Sequence, residues 1–214
     1  MIPSNNLVFL IDDDASVRKG VSRLLRSAGY KSEVFASASD FLKREQHGGP
    51  ACVIVDVRMP GLNGMDLQQT LIEHGRVEQL VFITGHGDIS MCAQAMKAGA
   101  VDFLSKPFRD DQLLQCVERA LTRSAEQRLR DAEKHGARCL LDLLTPREFE
   151  VMQLVITGML NKQIAGELGT AEKTVKVHRG RMMQKLRVNS VADLVRLVQR
   201  AEPSPLDTSK TKVR

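Results

Sequence analysis

Five short, mostly unbroken apolar runs alternate with helical patterns over the first 120 residues, and this alternation narrows the possible folds sharply. The runs are LVFLI (7–11), SEVF (32–35), CVIVD (52–56), LVFIT (80–84) and VDFLS (101–105). Strands that are apolar on both sides belong in a parallel sheet covered on both faces. The segments between them, near 15–28, 38–46, 65–74, 88–98 and 109–122, are amphipathic at helical spacing. Five strand–helix units predict an α/β domain over residues 1–122, a doubly wound five-stranded parallel sheet with helices on both faces.

A helical, highly charged stretch continues through 123–143 and reads as a linker. Leu114, Val117, Leu121, Leu129 and Ala132 fit a loose heptad, so a solvated linker helix and a short dimeric coiled coil both stand as readings. A second domain begins at Leu144. Thr145, Pro146 and Glu148 supply an N-cap, a proline at the first helical position and the return half of a capping box. Helical runs follow to about Thr157, then over 161–168, 172–186 and 191–200, with Gly158 and Gly169 as stops. Residues 144–201 are thus expected to form a small all-α four-helix domain. The tail, 202–214, holds two prolines among Ser, Thr and Lys and is expected to be disordered.

Charge separates the two halves. Lys and Arg fall two short of Asp and Glu over residues 1–119 but exceed them by five over 144–200. A basic excess confined to a short segment points to a polyanion partner there. No apolar run approaches the roughly 20 residues of a spanning helix. The start lacks the pattern of a secretory signal, so no membrane is expected and the cytoplasm is the expected compartment. Cys52, Cys92, Cys116 and Cys139 form no CxxC pair and no zinc-module spacing, and are expected to be buried free thiols.

Polar residues sit where the apolar runs end: Asp12 and Asp13, Asp56, Thr84 and Lys106. In the flavodoxin-like strand order 2-1-3-4-5, strands one and three are neighbours, and their three carboxylates converge at the carboxyl edge. Such a cluster repels itself unless a cation intervenes, and a hard oxygen-bound ion such as Mg²⁺ suits it. Asp56 is the candidate nucleophile for phosphorus. Lys106 would offset charge on the transferred group and Thr84 would donate its hydroxyl to it, with Gly85 and Gly87 allowing close backbone approach. Asp14 reads as the cap of the first helix and is left out of the site.

On the third helix of the second domain, Val175, Met182 and Leu186 share one face, with His178 and the stem of Arg179 at its margins. Lys173, Val177, Gly180, Arg181 and Gln184 lie opposite, flanked by Lys176 and Met183. With the preceding helix and the Gly169 turn, this makes a helix-turn-helix whose basic face suits the major groove of double-stranded DNA.

LIDDDASVR, VDVRMPGLNGMDL, ITGHGD and AGAVDFLSKPF resemble the receiver domain of FixJ-type two-component response regulators over residues 7 to about 120. The resemblance implies that Asp56 accepts a phosphoryl group from a sensor histidine kinase. It implies a metal site of Asp13, Asp56 and the Arg58 carbonyl, with Asp12 acting through water. A cis peptide before Pro107 is also implied, as is a switch in which Phe103 turns inward with Thr84. LTPREFEVMQL and GMLNKQIAGELGTAEKTVKVHRGRMMQKL resemble the LuxR-type DNA-binding domain over 144–200. That implies Lys176, Val177 and Arg181 near bases, and Lys173, Thr174 and Lys185 near phosphates. Gly180 departs from the longer groove-facing side chain often found there.

Together the resemblances imply a transcription regulator. Phosphorylation would promote homodimerisation through the 88–123 surface and sequence-specific DNA binding, with the fourth helix pairing two modules and RNA polymerase as a further partner. It would be no enzyme beyond slow autodephosphorylation. Two other readings are an aspartate-dependent phosphohydrolase using Asp12 and a phosphorylation-independent DNA-binding protein with a vestigial receiver.

Overall fold

The computed structural model describes residues 5–76, 78–85 and 89–201. The tail at 202–214, Gly87 and the first residue of the 88–123 surface lie outside the described residues. The chain divides into two compact units, 1–129 and 130–214.

In the first unit, β1 (Leu7–Ile11), β2 (Lys31–Phe35), β3 (Ala51–Asp56), β4 (Gln79–Thr84) and β5 (Asp102–Ser105) form one sheet in the order β2-β1-β3-β4-β5. Every pairing is parallel. Helices α1 (Ala15–Ser27), α2 (Ala38–Lys43), α3 (Gly64–Glu73) and α4 (Ile89–Lys97) connect the strands, and α5 (Asp110–Leu141) follows β5.

The period-two geometry of a strand sends neighbouring side chains to opposite faces. Phe9, Ile11, Val53, Val55 and Phe82 therefore pack with Phe41, Leu67 and Leu71 on one side. Val8, Leu10, Cys52, Ile54, Val81 and Ile83 pack with Val21, Leu25, Leu113 and Val117 on the other. Each large side chain buried this way contributes about 1.5–3 kcal/mol. A continuous apolar run is the sequence consequence of having two such cores.

Near β4, Glu78 accepts hydrogen bonds at 2.6 Å from both Arg44 and Arg76, all three side chains being nearly inaccessible. The Arg44 guanidinium also stands 3.7 Å from the Phe9 ring centre. Burial alone would raise the Glu78 pKa, but the two guanidiniums hold it below the ordinary value.

α5 is one uninterrupted helix. Val117 and Leu121, offered above as part of a coiled-coil seam, belong to one of the first unit's two cores, and Leu114 packs against it. Ser124 is fully buried, its hydroxyl accepting the Ala51 amide at 3.0 Å. The cysteine expectation needs correction. Cys52 and Cys116 are buried, but Cys92 is half-buried and Cys139 is exposed on α5, because the chain's second core uses a different side of that helix.

The second unit contains α6 (Pro146–Ile156), α7 (Asn161–Glu167), α8 (Glu172–Lys185) and α9 (Val191–Ala201) around Val151, Val155, Ile164, Val175, Met182, Leu186 and Leu194. The capping box forms: the Glu148 amide donates to the Thr145 hydroxyl, and the Thr145 amide donates to the Glu148 carboxylate. Gly169, at φ +60°, reverses the chain between α7 and α8 in a conformation that L side chains rarely adopt.

Candidate functional site

Strand order brings together residues far apart in the chain. Asp12 and Asp13 follow β1, Asp56 ends β3, Thr84 ends β4 and Lys106 follows β5. Asp12, Asp13 and Asp56 each offer an oxygen within 4.8 Å of the others. Asp12 is fully buried, Asp56 is 8% exposed and Asp13 is exposed.

The hydrogen bonds give these carboxylates unequal positions. Asp12 Oδ1 accepts the Asp14 amide at 2.8 Å and Oδ2 accepts Lys106 Nζ at 2.7 Å. Lys106 Nζ also lies 3.3 Å from Asp56 Oδ2. Asp56 Oδ1 is buried without a hydrogen-bond partner. An unpartnered buried carboxylate oxygen is costly unless a cation or ligand completes it. This oxygen and its two acidic neighbours fit a hard divalent ion.

Electrostatics follow the same geometry. Burial pushes the Asp56 pKa up, Lys106 opposes the shift and Asp12 adds to it. Burial would lower the Lys106 pKa, but its contacts with Asp12 and Asp56 hold it above the ordinary value.

The neighbouring backbone fixes these positions. The Lys106 amide donates to the Thr84 carbonyl at 2.7 Å, and the Lys106–Pro107 peptide is cis. Thr84 is fully buried; Phe103 is half-buried, its ring centre 6.1 Å from that of Phe82. Arg58 is exposed beside Asp56. Asp14 caps α1, its carboxylate accepting the Ser16 amide at 2.7 Å.

Two contributors were missed in the sequence. Arg18 reaches back from α1 to the Asp12 carbonyl at 2.6 Å. The signal was its position one turn into the helix after the acidic run. Gly64 packs against the Asp56 carbonyl so closely that a Cβ there would stand 2.5 Å from the oxygen. Its signal was a glycine at a helix start following an asparagine cap, Asn63.

In the second unit, α8 buries Val175 and Met182, followed by Leu186 at its end. It exposes Lys173, Thr174, Lys176, Val177, Gly180, Arg181 and Gln184. Arg179 turns aside to donate to Asn161 at 2.9 Å on α7. Lys185 has an internal partner: its Nζ donates to Glu148 at 2.6 Å and to the Leu143 carbonyl at 3.2 Å. The buried Glu148 carboxylate, 3% exposed, needs that counter-charge. This pair ties the end of α8 to the start of α6.

The family description "Response regulator receiver domain" matches residues 8–118. "Bacterial regulatory proteins, luxR family" matches residues 142–198. The chain is 44% identical over 207 residues to Nodulation protein W of Bradyrhizobium diazoefficiens, covering 97% of this chain and 91% of the relative. It is 39% identical over 194 residues to the transcriptional regulatory protein FixJ of the same organism, covering 91% and 95%. The solved structure of the response regulator StyR superimposes with a TM-score of 0.81 at 49% identity, covering 92% of this chain and all of that one. No helix among the described residues is long and apolar enough to cross a membrane. A receiver domain implies a histidine kinase partner and a LuxR-type domain implies DNA binding. The chain belongs to the FixJ-type two-component response regulators, with a receiver domain followed by a LuxR-type DNA-binding domain.

Proposed function

We propose that phosphorylation of Asp56 by a sensor histidine kinase switches this protein into a dimeric, sequence-specific DNA-binding state in the cytoplasm. The observation that carries the reading is the buried, unpartnered Asp56 Oδ1 beside Lys106 and the Asp12–Asp13 pair. Asp56 attacks phosphorus as the bond to the donor imidazole breaks. The product is an acyl phosphate and the freed imidazole takes up a proton. Asp13, Asp56 and the Arg58 carbonyl would hold Mg²⁺, with Asp12 acting through water; the ion supplies charge neutralisation for the phosphoryl oxygens.

Lys106 is already drawn to Asp12 and Asp56, so an added charge of roughly −2 gives it a stronger partner. Thr84 then donates its hydroxyl to a phosphoryl oxygen, and Phe103 follows inward. The 88–123 surface forms the receiver dimer. Two linked DNA-binding modules gain affinity through effective concentration. On α8, Lys176, Val177, Arg181 and Gln184 face bases while Lys173 and Thr174 face phosphates. Lys185, held by Glu148, chiefly seats the helix. The domain limits 1–122, 123–143 and 144–201 serve this division of labour, and RNA polymerase is the downstream partner. Turnover at Asp56 is limited to slow autodephosphorylation.

Incubation with a small phosphodonor and Mg²⁺, followed by intact-mass measurement, tests the proposal. One stable phosphoryl adduct is expected, lost in Asp56→Asn and retained in Asp14→Asn, together with stronger dimerisation and DNA binding. Rapid multiple turnover on phosphate esters would establish a hydrolase instead. Unchanged dimerisation and DNA affinity after phosphorylation would establish a vestigial receiver.

A further inference from the structure

Gly180 stands at the exposed pole of α8, roughly 160° around the helix from the buried Met182. Glycine weakens a helix interior relative to alanine. The protein's own fold gives no reason for it here. Its φ lies outside the left-handed region, and a Cβ at this position would meet nothing within 4 Å.

Gly20, Gly136 and Gly166 also sit in helices facing open space, so that feature alone assigns nothing. What sets Gly180 apart is its neighbour one turn back. Val177 is 45% exposed, and among the described residues none of the other three has an exposed large apolar side chain three or four positions away. A long side chain on a helix leans back over the preceding turn, so one at position 180 would cover the surface at 176 and 177. Its absence leaves a recess beside Val177, with exposed Lys176, Arg181 and Gln184 around it.

A lone exposed valine is ordinary on a protein surface. One set in the middle of a basic helix face in the major groove has a specific partner, because thymine alone among the four bases carries a methyl group on that edge. Resting on the reading of α8 as the recognition helix, we propose that Gly180 is a specificity-determining residue: lacking a side chain, it leaves room beside Val177 for the C5 methyl group of a thymine. Lys176 offers only donors, which suits the thymine O4 acceptor next to that methyl and not the amino group of cytosine. The helix stability given up at Gly180 is thus exchanged for close approach to one base.

The test uses full-length protein with phosphodonor and Mg²⁺ at one fixed salt concentration. Sites selected from random DNA locate the thymines, and each is then replaced by uracil, which removes the methyl group and nothing else. At one thymine per half-site this should weaken binding about fourfold, the worth of one buried methyl group. 5-Methylcytosine paired with guanine should not take its place. Val177→Ala should bind the thymine and uracil sites alike. Gly180→Leu should leave the DNA-binding unit at least as stable in urea. It should nevertheless weaken binding to the thymine site about tenfold, as a mismatched base pair does, and erase the preference for thymine over uracil. The proposal is overturned if every uracil-substituted site binds as tightly as its parent, if 5-methylcytosine serves as well as thymine, or if Gly180→Leu keeps both affinity and preference. A protein with no sequence preference at all would instead overturn the DNA-reading role of α8 itself, and this inference with it.

Discussion

Replacing Gly64 with alanine asks whether close backbone packing sets the position of Asp56, the proposed phosphoacceptor. The Gly64 amide donates to the Val57 carbonyl at 3.1 Å, holding the start of α3 against the end of β3. An added Cβ would stand 2.5 Å from the Asp56 carbonyl oxygen and 3.2 Å from both the Asp56 carbonyl carbon and Phe82 Cε1. The first distance is roughly 1 Å inside ordinary contact, and its partner is backbone that cannot rotate aside. Phe82 is fully buried and gives no room either. The strand end must move, at an overpacking cost of about 1–3 kcal/mol. A displacement near 1 Å at a reacting group costs on the order of 100-fold in rate.

Gly64→Ala is therefore expected to lower both receiver stability in urea and the rate of Asp56 phosphorylation from a small phosphodonor. Gly61→Ala is the control. Its φ of +77° makes it strained, but a Cβ there meets open space. It should lose roughly 1–2 kcal/mol without the same loss of rate. A Gly64→Ala protein that is phosphorylated at the unaltered rate would refute the proposed coupling, whatever its stability.

Three further expectations concern stability and DNA binding. The Lys185 ammonium, followed by the Thr145 amide, holds the Glu148 pKa below its ordinary 4.5. Its stabilisation is complete above the unfolded value and is lost as pH falls through the lower folded one. Denaturation of the DNA-binding unit from pH 6 down to pH 3 should show this loss, and Glu148→Gln, which keeps a capping-box acceptor for the Thr145 amide but gives up the charge pair with Lys185, should flatten it. Glu78→Gln leaves Arg44 and Arg76 without their shared counter-charge and should destabilise the receiver by about 3–5 kcal/mol in calorimetry; a change below 1 kcal/mol would contradict the triad's role. Lys173→Ala should weaken binding to all DNA sequences and reduce the salt slope by about 0.9, whereas Arg181→Ala should change sequence preference in a selected-site assay.

The strands, most helix limits and the Thr145–Glu148 capping box were legible because they depend on residues within about four positions of one another. Strand-end polarity also marked Asp12, Asp13, Asp56, Thr84 and Lys106 as candidates, since a doubly wound sheet has one edge where ligands gather. The cis Lys106–Pro107 peptide was legible through family resemblance alone. Arg18 and Gly64 were missed because a side chain reaching back to a carbonyl, and a missing Cβ, leave no periodic trace.

The amino-acid sequence by itself determined the α/β order of the first half, the helical second half and the chemical identity of the acidic site. Only tertiary structure decided how those groups are used. It committed both Asp12 oxygens and left Asp56 Oδ1 unpartnered. It joined Lys185 to Glu148 across 37 positions and Arg44 to Glu78 across 34. It also sent Val117 and Leu121 into a core while leaving Cys139 exposed. The physical reason is that local propensity acts between near neighbours, whereas burial and charge pairing act between whatever surfaces the packed strands and helices bring together.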